Sequence, residues 1–347
     1  MYYVGVDLHK HQSWFYIIDP LGKRIDSKSI SNSPESLKCY FKKIPKPFTL
    51  AVEATYNWYF FVDIAQEYAK NVYLANSYEL KAFAKRHKKT DKIDARLIAS
   101  VLRKGFLPVV TIADKQTRQR RELLRCRLSM TADRSRCIFR LKALLDKLGL
   151  DSSGDFTTYK RLNEIQQYEL SSLYSTMVNN YCEQIKYITR RLYVLEKEIT
   201  TLANTDKDIL YLMTIPGLSY FSALLIKSEI IDVNRFKSFN RLCAYAGLAP
   251  RVSQSGNKTF HGPLNKNRRK NLQWILLENV YHYIKSTPEK LCKFEIAKKR
   301  KGHNTAKVIF ARDMLKIIYY ILKEHRPFYL YKSSQIQPVA APALCGV

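Results

Sequence analysis

In the opening stretch MYYVGVDLHKHQSWFYIIDPLGKRIDSKSI (residues 1–30), three short runs rich in β-branched and aromatic residues, YYVGVDLH, QSWFYIID and KRIDSKSI, are separated by polar turn residues. Such runs predict a three-stranded antiparallel meander. Working outward, Pro34 opens PESLKCYFKKI, whose Leu37, Tyr40, Phe41 and Ile44 recur at helical spacing. The apolar run FTLAVEAT at 48–55 predicts a fourth strand, YNWYFFVDIAQEYA a helix, and NVYLAN at 71–76 a fifth strand. TDKIDARLIASVLRKG then reads as a helix from about 90 to 104, with Ala95, Ile98, Ala99 and Leu102 on one face and Gly105 as its stop.

Three antiparallel strands followed by alternating helices and strands form the succession of the ribonuclease-H-like α/β fold. In such a sheet the first and fourth strands are central neighbours, so Asp7 and Glu53 project side by side at one edge. Asp91 and Asp94, at i and i+3, share a helix face and can reach the same point. Four convergent carboxylates repel one another unless cations lie between them. Mg²⁺ suits oxygen ligands, and two such ions can clamp the attacking and leaving oxygens of a phosphoryl transfer. The bland alternative for Asp91 and Asp94 is a solvated helix face beside the basic run KRHKK at 85–89, making weak surface pairs. Taken singly, each acid reads as structural; the set of four reverses that.

Composition names the partner class. The 347 residues hold 59 Lys+Arg against 30 Asp+Glu, a net charge of +29 that calls for a polyanion, with nucleic acid foremost. At 46% hydrophobic content the chain folds, as two domains or as two plus a helical arm. No long uncharged apolar window and no signal peptide is present, which sets a membrane aside. Seven scattered cysteines without a C-x-x-C pair indicate neither a disulfide framework nor a zinc site, so a reducing cytoplasm is expected.

Between 115 and 150 a helical stretch carries eleven basic residues against Glu122, Asp133 and Asp146, too lopsided for a neutral salt-bridged face. It predicts a nucleic-acid surface including Arg118, Arg121 and Arg125, joined by Lys88 and Lys89 from the earlier basic run. From 171 to 202 a heptad seam runs through Tyr174, Val178, Tyr181, Ile185, Ile188, Leu192, Leu195 and Ile199. It packs either within the monomer against the 115–150 helix or between subunits, and the reading leans towards oligomerisation. IPGLSYFSALLIKSEI at 215–230 resembles a helix-hairpin-helix, placing Pro216 and Gly217 at a DNA phosphate. The polar loop APRVSQSGNKTFHGPLNKNRRKN at 249–271 holds Ser253, Ser255, Gly256 and the cations Lys258, Lys266, Arg268 and Arg269, of which Lys258, Arg268 and Arg269 are candidate phosphate contacts. A serine there becomes a useful nucleophile only if a base, a metal or a cationic pocket activates it. The expected division is 1–112, a helical arm at 113–204, a mainly helical domain at 205–328, and a disordered tail at 329–347.

GVDLHK, VEATYNW, KTDKIDA, IPGLSYFSALL, AYAGLAP and QSGNKTFHG, taken together and in this order, resemble the transposases of the bacterial insertion-sequence family numbered one hundred and ten, DEDD recombinases related to the Piv invertases. The resemblance covers roughly residues 1–325. It implies a RuvC-like catalytic domain in which Asp7, Glu53, Asp91 and Asp94 bind Mg²⁺, a coiled-coil arm, and a C-terminal transposase domain with an essential serine. That serine is Ser255, which precedes Gly256, with Ser253 as the alternative; Asn257 stands where glycine is frequent. The resemblance further implies a covalent 5′-phosphoserine intermediate on DNA, a homo-oligomer from dimer to tetramer with composite sites, and a non-coding guide RNA.

Three rivals accompany this reading. One is a junction-resolving or single-strand nuclease of the same fold that uses activated water and needs no serine, or a site-specific DNA invertase. Another is a non-catalytic nucleic-acid-binding protein. A sugar-kinase or actin-like ATPase is excluded, because Leu8-His9-Lys10-His11 supplies no glycine and hydroxyl loop for phosphate.

Overall fold

The computed structural model describes residues 1–83, 90–255, 258–265, 267–332 and 335–338. The chain divides into two compact units, Met1–Ala113 and Asp114–Val347. The helical arm and the C-terminal domain expected from sequence both fall within the second.

The first unit follows the expected order closely. Strands β1 (Tyr2–Leu8), β2 (Gln12–Ile18) and β3 (Arg24–Ser31) form the meander, and β4 (Phe48–Glu53) and β5 (Asn71–Ala75) extend it. Helix α1 spans Pro34–Lys43, capped by Ser33 with proline in its first turn, α2 spans Trp58–Ala65 and the short α3 Ser77–Leu80. Helix α4 spans Asp91–Arg103, and Gly105 adopts φ 74° just past its end. A two-residue strand β6 (Val109–Val110), too short to leave a periodic signal, pairs antiparallel with β5. The mixed six-stranded sheet runs β3-β2-β1-β4-β5-β6, with β1, β4 and β5 parallel.

Alternation along β1 and β4 sorts the two faces. Val4, Val6, Leu8, Leu50 and Val52 are buried with Leu37, Phe41, Phe61 and Val62 of α1 and α2. On the other face Ala51 is buried with Ile98 and Leu102 of α4, the helix face read from the sequence. Gly5 is the closest approach on this side: a Cβ there would lie 2.2 Å from the Ala95 carbonyl oxygen and 2.4 Å from the Ala99 nitrogen. Lacking a side chain, β1 lets α4 settle directly on the sheet.

In the second unit, α5 (Lys115–Lys147), α6 (Tyr159–Gln166) and α7 (Ser172–Asn204) lead into α8 (Lys207–Met213), α9 (Tyr220–Ile230) and α10 (Phe239–Tyr245). The hairpin β7 (Pro250–Ser255) and β8 (Lys258–Leu264) follows, then α11 (Lys270–Ile284), α12 (Pro288–Lys301) and α13 (His303–Glu324). Helix α9 is buried on nearly every side, with the main core gathered round it from α8, α10, α11 and α13. Helices α5 and α7 pair antiparallel, as Arg127 with Glu196, Arg134 with Thr189 and Cys137 with Gln184 record. The seam residues Val178, Ile185, Leu192 and Ile199 are thereby buried within the chain, which is the first of the two alternatives for the heptad and not the one favoured. At the end of the described chain β9 (Tyr329–Lys332) pairs antiparallel with β10 (Gln335–Pro338), and the rest of the expected tail, 333–334 and 339–347, lies outside the described residues. No described helix is long and apolar enough to cross a membrane.

Candidate active site

Asp7 is the penultimate residue of β1 and Glu53 the last of β4. The strands are parallel neighbours with Val6 opposite Val52, so the two acids are the next residues along on the α4 face of the sheet. Asp91 and Asp94 lie in the first turn of α4, whose N-terminus is capped by Thr90 accepting from the Ile93 N–H at 3.3 Å. Carboxylates in a first turn are stabilised by the free N–H groups there. Asp7 is buried, Asp94 and Glu53 half-buried, and Asp91 exposed.

His9, just past β1, joins the cluster. Its Nε2 lies 3.3 Å from Asp7 Oδ2 and 3.3 Å from Asp91 Oδ2. Its main chain is anchored twice: the amides of Asn32 and Asn57 each donate to the His9 carbonyl at 2.8 Å. Burial pushes the Asp7 carboxyl up from its ordinary value to about 6; His9 pulls it down, and Asp91, Asp94 and Glu53 push it up further. All four acids foreseen from the sequence therefore act on one point. Asp7, His9 and Asp91 each offer one donor atom, all within 4.8 Å of one another, so a shift of under about 1 Å would bring all three onto one divalent cation at about 2.1 Å. The donor set fits such an ion. His9 was not among the expected ligands, although Asp-x-His at the end of a strand puts both side chains on one face.

In the second unit Ser255 is the last residue of β7, in register with Lys258, and Ser253 is in register with Phe260. Gly256 and Asn257 between the strands lie outside the described residues, as do Lys88 and Lys89. Both ends of this hairpin are tied down from within. Before it, Gly247 turns with φ 74° and its carbonyl accepts from Gln273 Nε2 at 2.6 Å. After it, Arg269 Nε donates to the Tyr245 hydroxyl at 2.7 Å, and Tyr245 donates to the Glu229 carbonyl at 3.0 Å. Buried Glu229 faces Arg121 Nη2 at 3.7 Å and Arg269 Nε at 4.0 Å, while Arg121 Nε donates to the Ser228 carbonyl at 2.9 Å. Nothing in the sequence pattern pointed to Glu229, Tyr245 or Gln273, because their partners are brought together only by the fold.

These contacts correct part of the expected basic surface. Arg118 and Arg121 are buried, and Arg121 is spent on Glu229 and two carbonyls rather than turned to solvent. Arg125 pairs with Glu122 at 2.6 Å. Arg268 packs under Gly247 and donates to the Asn265 carbonyl, and Arg269 belongs to the Glu229 network. Charge counting along a helix does not distinguish a solvent face from an interior one. Pro216 and Gly217 do form the turn between α8 and α9, with Gly217 at φ 91°.

Two family profiles match the chain, one of DEDD transposases of the IS110 type over residues 4–149 and one described as "Transposase IS116/IS110/IS902 family" over residues 210–293. The chain belongs to the IS110 family of transposases. Among its relatives, the transposase for insertion sequence element IS1111A of Coxiella burnetii is 24% identical over 74% of this chain and 72% of its own length. The transposase for IS1328 of Yersinia enterocolitica is 22% identical over 81% of this chain and 83% of its own. The pilin gene-inverting protein of Moraxella lacunata is 27% identical over 48% of this chain and 53% of its own. Membership makes this chain a transposase or recombinase acting on DNA, and the DEDD type implies dependence on a divalent metal.

Proposed function

We propose that this transposase cuts and rejoins the DNA ends of its element with Ser255 as nucleophile and with Mg²⁺, as two ions, held by Asp7, Glu53, Asp91 and Asp94 in a ribonuclease-H-like domain. The observation that carries the reading is the convergence of four acids on Asp7, whose carboxyl stands at about 6. When bound, the metal supplies charge neutralisation for the developing phosphorane and its attacking and leaving oxygens. The chain's own residues do the rest. Asp7 and Glu53 fix one side of the site from the rigid sheet, and Asp91 and Asp94 close it from the first turn of α4. His9 spaces Asp7 from Asp91. Ser255, at the end of β7, would lose its hydroxyl proton as its oxygen bonds to the scissile phosphorus; the bond to the 3′ oxygen breaks, that oxygen takes up a proton as a 3′ hydroxyl, and the 5′ phosphate stays on serine until rejoining reverses the exchange. Guidance by a non-coding RNA belongs to the same reading, as does action as a homo-oligomer.

Inversion of a DNA segment is a second outcome of the same chemistry, favoured by the likeness to pilin gene-inverting proteins. The test is strand cleavage and rejoining on element-end DNA with the full chain and Mg²⁺. Asp7→Asn or Asp94→Asn is expected to lower cleavage by about a thousandfold or more while duplex binding changes less than about threefold. Ser255→Ala is expected to abolish the protein–DNA adduct that survives denaturing electrophoresis. Normal recombination by Ser255→Ala would remove Ser255 as the nucleophile, and normal recombination by the double variant Ser253→Ala, Ser255→Ala would sink the covalent mechanism.

A further inference from the structure

Two helical hairpins of the second unit meet one stretch of α11. In the turn between α8 and α9, Gly217 lies so close to α11 that a Cβ there would fall 2.3 Å from the Cβ of His282. In the turn between α12 and α13, His303 stacks on Tyr281 with ring centroids 6.0 Å apart, and its Nε2 shares a hydrogen bond with the Tyr281 hydroxyl. Phe294 of α12 packs edge-on against the same pair. Tyr281 and His282 are consecutive, so the two turns are held side by side at one end of α11.

The second turn is strongly cationic. From Lys298 to Arg312 the sequence contains no acidic residue. Lys298 pairs with Glu295, but Lys299, Arg300 and Lys301 are exposed and have no carboxylate partner among the described residues. Lys307, one turn into α13, holds its ammonium 5.0 Å above the Tyr281 ring and so adds a charge at the same place. One or two cations in a last turn suffice to complement a helix dipole. Three consecutive unpaired ones repel each other, and the partner that relieves this is a polyanion with regularly spaced charges. The turn is open to such a partner: nothing lies within 4 Å of a Cβ added at Gly302.

We propose that the α12–α13 turn, through Lys299, Arg300, Lys301 and Lys307, grips the sugar-phosphate backbone of a nucleic-acid duplex beside the Pro216–Gly217 turn, making a two-pronged clamp at this end of α11. The partner class rests on the function proposed above, but the clamp uses neither the acids nor the serine. Its contacts fall on phosphates and so position the duplex without reading sequence.

The test uses the full chain and fluorescence anisotropy on a short duplex DNA and the matching duplex RNA across a salt series. Lys299→Ala, Arg300→Ala and Lys301→Ala together are expected to weaken binding at least about tenfold near 0.15 M salt and to reduce the slope of log Kd against log salt by about 2 to 3. Removing the same charge elsewhere, with Lys42→Ala, Lys43→Ala and Lys70→Ala on the exposed first unit, is expected to change affinity less than about twofold. Loss on one duplex alone supports the clamp and names its nucleic acid. An unchanged slope in the first variant, or equal losses in both, overturns the proposal. Asp7→Asn is expected to keep the full slope, so failure of the cleavage chemistry is read separately from failure of the clamp.

Discussion

The molecule gathers charge in two places and treats it in opposite ways. At the edge of the first sheet, Asp7, Glu53, Asp91 and Asp94 crowd together with His9 beside Asp7 and Asp91, and Asp7 holds its proton up to about pH 6. In the core of the second unit, Glu229 is more deeply buried than any of the four, yet Arg121 and Arg269 face it and the neighbouring carbonyls are occupied. Around Glu229 two arginines offset the buried charge as ion pairs, whereas around Asp7 three further carboxylates add to it. A charged cluster that the protein has balanced by itself holds structure in place, whereas one left unbalanced marks where something else must bind.

The contrast can be broken most forcefully at Arg121. Arg121→Ala strands a buried carboxylate and is expected to cost about 3 to 5 kcal/mol in chemical denaturation, while Arg121→Met combined with Glu229→Leu recovers most of that. A loss under about 1 kcal/mol from the single change would mean that the network is not self-contained. Next comes Gly5→Ala, which forces α4 off the sheet; overpacking of this kind is expected to cost about 1 to 3 kcal/mol, with weaker Mn²⁺ binding by calorimetric titration because Asp91 and Asp94 move with the helix.

The smallest effect concerns stability against pH in the metal-free protein. Asp7 has a folded-state value of about 6 against 3.8 for the free residue, so the fold favours the protonated form. Its contribution is therefore neutral below pH 4 and becomes destabilising as pH rises through 6. Asp7→Asn is expected to raise stability at pH 8 by about 1 to 2 kcal/mol, allowing for screening at the open edge, and the gain should vanish towards pH 4. Adding Mg²⁺ should stabilise the parent chain and not this variant. A gain that persists unchanged at pH 4 would point to packing rather than charge.

Much of this was legible in the sequence where the signal is local. The meander, the helices α1 and α4 and the adjacency of β1 and β4 follow from periodicity and order, and with them the meeting of Asp7 and Glu53. Spacing alone put Asp91 and Asp94 on one face. The readings that failed were those needing knowledge of what lies opposite. Arg118 and Arg121 look in sequence like Arg125, yet the first two are buried, Arg121 against α9, and the heptad of α7 cannot say whether its partner is α5 or another subunit. The sequence leaves open whether His9, Lys10 or His11 assists catalysis, and only the fold places His9 between Asp7 and Asp91. Glu229 escaped because its partners are 108 and 40 residues away in the chain.

The two asparagines at the turn after β1 grip the carbonyl of His9 and leave its ring alone. The path of the loop is thus written in the backbone and enforced from β3 and α2, so position 9 can exchange its side chain without redrawing the loop. The acids sit on the sheet and on α4 themselves, whereas the imidazole sits on the turn that these two bonds shape. Replacing His9 is therefore expected to change which divalent ions bind best while the backbone that presents the acids stays put, because imidazole suits softer ions than carboxylate does.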